Sequence, residues 1–112
     1  VSKSVKFGKN NYIAPGVVIN TGAVLNDNIL INNNATIGHD VIINSNSVIS
    51  GNVFIGGNTS IGSNVLIGPG ANILQGLNIS DQAVISVGAT VLRSLKTGQT
   101  VYPNFNTIVP KK

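Results

Sequence analysis

Cysteine is absent from this 112-residue chain, as are methionine, tryptophan and glutamate. Without cysteine there is no disulfide, thiolate metal site or cysteine nucleophile, and the composition fits a cytoplasmic protein. Charge is scarce too, at 9% of residues. The acids are Asp27, Asp40 and Asp81, and the only histidine is His39. Three scattered aspartates argue against a paired-carboxylate site, and no metal site is expected, because His39 and Asp40 are the only adjacent ligand types. The bases Lys3, Lys6, Lys9, Arg93, Lys96, Lys111 and Lys112 cluster at the two ends. The middle lacks the basic stripe with stacking aromatics that a nucleic-acid groove requires. No apolar run is long enough to span a bilayer, and no leader peptide is visible. Neither a nucleic-acid nor a membrane partner is therefore expected. The chain starts at Val1 rather than Met, so either the initiator was removed or the sequence is part of something longer. With 42% hydrophobic residues and little charge, it is the opposite of a disordered composition.

What is present is a six-residue repeat. Every sixth residue from Phe7 is large and apolar: Ile13, Ile19, Leu25, Ile31, Ile37, Ile43, Ile49, Ile55, Ile61, Ile67, Ile73, Ile79, Ile85 and Val91. Two residues before each stands a second series from Val5 to Leu95, mostly small or β-branched, with Asn11, Ser47 and Thr59 as polar members. Residues two apart on a strand point to the same side, so both series point inward and the residue between them points out. The other three make a turn. The last turn residue is Gly or Asn at most repeats, with Asp40 and Gln82 among the exceptions. Gly and Asn tolerate positive φ better than other residues, so the abundant asparagine is structural. The expected fold is an all-β, left-handed parallel β-helix of about five triangular coils, each of about 18 residues. A sandwich would need turns every 8–12 residues or so, which a six-residue clock excludes. The repeat is expected to stop near Leu95, giving a β-helix over 1–95. Residues 96–112 are then a cap or extension covering the last coil, whose open sheet edges need cover.

The coil period sorts the outward residues onto three faces. One carries Tyr12, Leu30, Val48, Leu66 and Val84; a second Val18, Thr36, Phe54, Asn72 and Thr90; the third Lys6, Val24, Ile42, Ser60, Asn78 and Lys96. The first is apolar throughout, and a stacked apolar ladder in water marks an interaction surface. A closed homotrimer, built from heterologous contacts, is expected.

His39 lies in the turn Gly38-His39-Asp40, on an edge of the coil rather than in its core. About one coil further on lies Gly57, expected to leave open space beneath the imidazole and an accessible backbone N–H. A base beside a free amide donor suits acyl transfer: the imidazole takes a proton from an attacking hydroxyl or amine, and the N–H steadies the tetrahedral oxyanion. A surface histidine with no role fits the same residues.

From Val1 to about Leu95 the chain resembles the sialic-acid and amino-sugar O/N-acyltransferases, the bacterial acetyl-CoA-dependent enzymes that include the NeuD-like and PglD-like proteins. The stretches that carry the likeness are Ile13–Ala23, Ser50–Val53 and above all Asn32–Asp40, which reads Asn-x-x-Ala-x-x-Gly-His-Asp. The resemblance implies that His39 is the catalytic base, that Asp40 raises its basicity, and that Gly57 supplies the oxyanion amide. It also implies that acetyl-CoA, the cosubstrate, lies between neighbouring subunits of a trimer, with Val48, Pro69 and Val87 along the pantetheine path. The acceptor would be a sugar or amino sugar, either sialic acid or a nucleotide-linked amino sugar.

The sequence departs from the family pattern in three places. Many members carry a second histidine nine residues after the first, where Val48 stands here. Many end in Gly-Asn-Pro-Ala-Lys, where this chain has Tyr102-Pro103-Asn104-Phe105-Asn106. Full-length members have an N-terminal Rossmann-like domain for the sugar nucleotide, so this chain is either trimmed or uses another acceptor. The alternative function is a non-catalytic trimeric scaffold or a degenerate relative. Ice binding would need a regular Thr ladder, which Thr21, Thr36, Thr59 and Thr90 do not form.

Overall fold

The structure is a computed structural model that describes residues 1–103 and 110. Among the described residues the six-residue clock becomes sixteen two-residue strands, from Lys6–Phe7 to Thr100–Val101. They are sorted into three parallel sheets of five, six and five strands. Face 1 begins at Lys6–Phe7, face 2 at Tyr12–Ile13 and face 3 at Val18–Ile19, and each successive strand of a face is one coil further on. The register Lys6↔Val24↔Ile42 makes each coil three turns of the six-residue clock. Parallel strands need long connections, and here the other two sides of the triangle supply them. Chain order brings three edges into being: edge 1–2 after face 1, edge 2–3 after face 2 and edge 3–1 after face 3.

The inward isoleucines fill the interior. Ile31, Ile37, Ile43, Ile49, Ile55 and Ile61 are all 0% exposed, and each such burial is worth about 1.5–3 kcal/mol. Ser47, also inward and 0% exposed, is satisfied rather than stranded: its hydroxyl donates to Gly62 O at 2.7 Å and accepts the Val65 N–H at 3.1 Å. Asn11 repeats that pattern near the N-terminal end with Asn26 O and Ile29 N–H, both at 2.8 Å. Thr59 donates to Leu74 O. From Asn10 to Gly88 the last residue of each turn has positive φ, including Asp40 at 55° and Gln82 at 62°.

Beyond Val91 the clock slips. Leu95 pairs with Ile79, and Thr100 with Val84, each two positions short of a full coil. Leu95 therefore occupies the large aliphatic slot, not the small one expected for it. Ser94, not Lys96, follows Asn78 on face 1, and its Oγ accepts the Asn78 N–H at 2.9 Å. The coil is shortened at the preceding edge and then resumes through Val101, past the expected limit at 95. Of the segment expected to cap it, 104–109 and 111–112 lie outside the described residues, as do Asn104, Phe105 and Asn106 of the altered C-terminal motif. No helix among the described residues is long and apolar enough to cross a membrane, and they hold no cluster of three metal-ligating side chains.

The expected faces are otherwise as the register has them. Tyr12, Leu30, Val48, Leu66 and Val84 stack in one line on face 2. Tyr12 and Leu66 are exposed and the other three half-buried.

Candidate functional site

Edge 3–1 is the turn column that leads from face 3 to face 1. Its middle residues, one coil apart, are Lys3, Thr21, His39, Gly57 and Gln75. His39 and Asp40 are both exposed, at 53% and 58% for their side chains. The imidazole Nδ1 is 3.1 Å from Asp40 Oδ2, an interaction that fixes the ring. The Asp40 side chain has room because Gly22, one coil back, has no side chain where the Asp40 Oδ1 sits.

The other side of the ring rests on Gly57. A Cβ at Gly57 would collide with Nε2 and come within 2.7 Å of Cδ2 and 2.8 Å of Cε1. The expected open space beneath the imidazole is thus taken up by the imidazole itself. A glycine is required here by this close approach, not by φ. The same holds at Gly38, where a Cβ would stand 2.6 Å from Gly57 N. Gly57 is buried, and among the described residues its N–H donates to nothing. Second-turn amides point away from the ladder, and several on edge 1–2 take side-chain acceptors: Lys9 N–H from Asp27, Asp27 N–H from Ser45, Ser63 N–H from Asp81. A buried donor without a partner costs about 1–3 kcal/mol, so the Gly57 amide is a place where an acceptor would be welcome.

An open hollow of about 520 Å³ surrounds this pair, lined by Asn20, Thr21, Gly38, His39, Phe54, Gly56, Gly57, Leu74 and Gln75. It is polar towards the N-terminal end, at Asn20 and Thr21, and apolar towards the C-terminal end, where Phe54 and Leu74 stand exposed. Sequence reasoning singled out His39, Asp40 and Gly57, and the structure brings these together. It missed Thr21, Phe54, Leu74 and Gln75. Counting one coil back from His39 and one coil on from Gly57 gives Thr21 and Gln75, so that signal was available. Val48, Pro69 and Val87 are not part of this hollow. Val48 is half-buried on face 2, and Pro69 and Val87 are exposed one coil apart on edge 2–3. One chain does not bring them to His39.

No protein-family model matches the chain, and no curated protein matches its sequence. Solved structures do. The β-helix is similar to the acetyltransferase domain of PglB from Neisseria gonorrhoeae in complex with acetyl coenzyme A, with 29% identity and a TM-score of 0.82 over 88% of this chain and 48% of that one. It is similar to a histidine-to-asparagine mutant of perosamine N-acetyltransferase from Caulobacter crescentus in complex with CoA and GDP-perosamine, with 26% identity and a TM-score of 0.83 over 84% of this chain and 45% of that one. A UDP-N-acetylglucosamine O-acyltransferase from Moraxella catarrhalis shares 15% identity and a TM-score of 0.55 over 83% of this chain and 65% of its own, a likeness of fold alone. The chain spans about half the length of the two acetyltransferases. Its structural neighbours are sugar acyltransferases, and its fold is their left-handed parallel β-helix.

Proposed function

We propose that this chain is the β-helical part of an acetyl-CoA-dependent acetyltransferase acting on a sugar or amino sugar, with His39 as general base. One observation carries the reading: the imidazole is tied at Nδ1 to Asp40 and rests by Nε2 on Gly57, whose amide lacks a partner among the described residues. The likeness to acetyltransferase structures holding acetyl-CoA, or CoA with a sugar nucleotide, supports it.

The chemistry follows from the tautomer. Nδ1–H donates to the Asp40 carboxylate, which leaves the Nε2 lone pair free. Nε2 takes the proton from the acceptor hydroxyl or amine as its oxygen or nitrogen attacks the thioester carbonyl carbon. The carbonyl π electrons move to oxygen, and the Gly57 N–H donates to that oxyanion. Collapse of the tetrahedral species breaks the C–S bond, and the thiolate recovers the proton from Nε2–H. The products are the acetylated acceptor, CoA thiol and neutral His39.

A homotrimer belongs to the same reading. The apolar ladder of face 2 would meet the neighbouring copy, which brings that copy's Val48, Pro69 and Val87 to the pantetheine arm. Catalysis at a subunit interface, a nucleotide-sugar acceptor and a cytoplasmic location complete the proposal. Thiol release from acetyl-CoA in the presence of amino sugars or sialic acid tests it. His39→Ala is expected to lose about 10²–10⁴ in rate. Equal measurable rates for both proteins overturn the catalytic role of His39, and no turnover by either leaves the non-catalytic scaffold. Calorimetric binding of CoA to the wild type is the companion measurement.

A further inference from the structure

Both oxygens of the Asp40 carboxylate have a place. Oδ2 is 3.1 Å from His39 Nδ1. Oδ1 lies where a side chain on Gly22 would begin: a Cβ there would collide with it and stand 3.0 Å from the carboxyl carbon. The hydrogen that glycine carries instead of a Cβ points at that oxygen, a weak Cα–H···O contact. The turn that forms this seat is held from two sides. The Gly22 N–H donates to Ser4 Oγ at 3.0 Å, and the same hydroxyl is 2.7 Å from Thr21 Oγ1. The Asp40 N–H donates to Thr21 O at 2.9 Å.

The left-handed backbone alone does not call for glycine at this turn position. On edge 1–2 the corresponding column reads Asn10, Asn28, Asn46 and Asn64, all with positive φ, so asparagine takes the turn and stacks on itself from coil to coil. Gly70, Gly76, Gly88 and Gly98, also at positive φ, have nothing within 4 Å of a Cβ. Only Gly16 repeats the seat among the described left-handed glycines. Its φ is 78° against 77° at Gly22, and Asn34 Oδ1 stands where its Cβ would be. The residue beside Asn34 is Asn33, so that seat serves no base. We propose that Gly22 is a positioning residue for the His39–Asp40 pair. Its missing side chain seats Asp40 Oδ1, which turns Oδ2 onto Nδ1 and holds the imidazole as the Nδ1–H tautomer, with Nε2 left as the base. Because the two oxygens are rigidly joined, filling the seat turns both. The consequence for rate rests on the acetyltransferase reading; the consequence for the tautomer does not.

His39 is the only histidine of the chain, so nitrogen NMR of the full chain sees one imidazole and reports which ring nitrogen carries the proton. In the neutral ring the wild type is expected to be mainly Nδ1–H. Gly22→Asn, which the turn accommodates as it does at Asn10, and Gly22→Ala both fill the seat. Each should give a mixture of tautomers and lower acetyl transfer about tenfold, the size of one charge-assisted hydrogen bond. Gly16→Asn and Gly16→Ala fill the matching seat on edge 2–3 and should keep the wild-type tautomer and rate. The two asparagine variants should share one thermal midpoint. A wild-type tautomer in both Gly22 variants overturns the assignment. So does the same change in the Gly16 variants, or a wild type that is mainly Nε2–H. Absence of transfer in every protein, wild type included, removes the acetyltransferase reading, while the NMR comparison still decides the role of Gly22.

Discussion

Edges 1–2 and 3–1 are built from the same turn and end in opposite chemistry. On edge 1–2, Gly62 and Ser63 are followed one coil on by Asp81, and the Ser63 N–H donates to Asp81 Oδ1 at 2.8 Å. Gly8, Lys9 and Asp27 repeat this at 2.7 Å. In each case the missing glycine side chain makes room for the carboxylate. On edge 3–1 the same places are held by Gly56, Gly57 and Gln75, and a Cβ at Gly56 would meet Gln75 N at 2.5 Å, as one at Gly62 would meet Asp81 N at 2.6 Å. Among the described residues no side chain closes onto the Gly57 amide, and His39 sits over it instead. One edge spends its polar groups on itself; the other leaves a donor and a base unsatisfied beside a hollow. On the proposed reading, stability and chemistry are separated by edge, within one repeat.

The comparison can be broken by closing the open edge. Gln75→Asp places on edge 3–1 the carboxylate that Asp81 supplies on edge 1–2. The Gly57 N–H should then donate to it, and the oxyanion would meet an occupied donor and a negative charge. Acetyl transfer is expected to fall about 10²–10³-fold, the size of losing one oxyanion donor, while the thermal midpoint holds or rises. Full activity with a raised midpoint would mean that the Gly57 amide takes no part. A smaller effect is expected from Asp40→Asn. Asparagine already stands at this left-handed turn position at Asn34, Asn46, Asn52 and Asn58, so the backbone is undisturbed. The amide oxygen still accepts from Nδ1–H, but the charge that stabilises the imidazolium is gone. Because the pair is exposed, the rate should drop about tenfold, with Tm unchanged. A drop as deep as that of His39→Ala would mean that Asp40 does more than orient and stabilise the ring.

Much of this is legible in the sequence. A period of six places every strand, and three periods to the coil put Gly57 under His39. What the period cannot tell is how far a side chain leans. Leu74 reads as a turn residue and Phe54 as one outward position among many, yet both wall the hollow. Nor does the period tell that the imidazole fills the place Gly57 leaves. The slip at the C-terminal end was missed because Leu95 fits the column of small residues by count and the aliphatic column by size. The correcting signal lay further on: Leu95, Gly98 and Val101 restore the spacing of aliphatic, left-handed turn and aliphatic residue, and Gly98 indeed has a φ of 74°. Val48, Pro69 and Val87 came from likeness alone, and a single chain gives them no route to His39.

The smallest expected effect belongs to the closed edge, and it bears on whether the division by edge holds. Asp81→Ala removes the acceptor of the Ser63 N–H in a coil that is packed on both sides. The amide is at the surface, so water replaces the carboxylate in part. The loss should be about 1 kcal/mol, below the usual range for a hydrogen bond to a charged group because water competes at this exposed site. For a chain of this size that is a fall in thermal midpoint of about 4 °C. Acetyl transfer should be untouched, because Asp81 lies on a different edge from His39. Asp27→Ala should do the same, and less, since its donor Lys9 belongs to the first coil, where nothing stacks on the outer side. If Asp81→Ala slowed transfer without moving the midpoint, edge 1–2 would be a second working surface, and the repeat would carry chemistry on two edges instead of one.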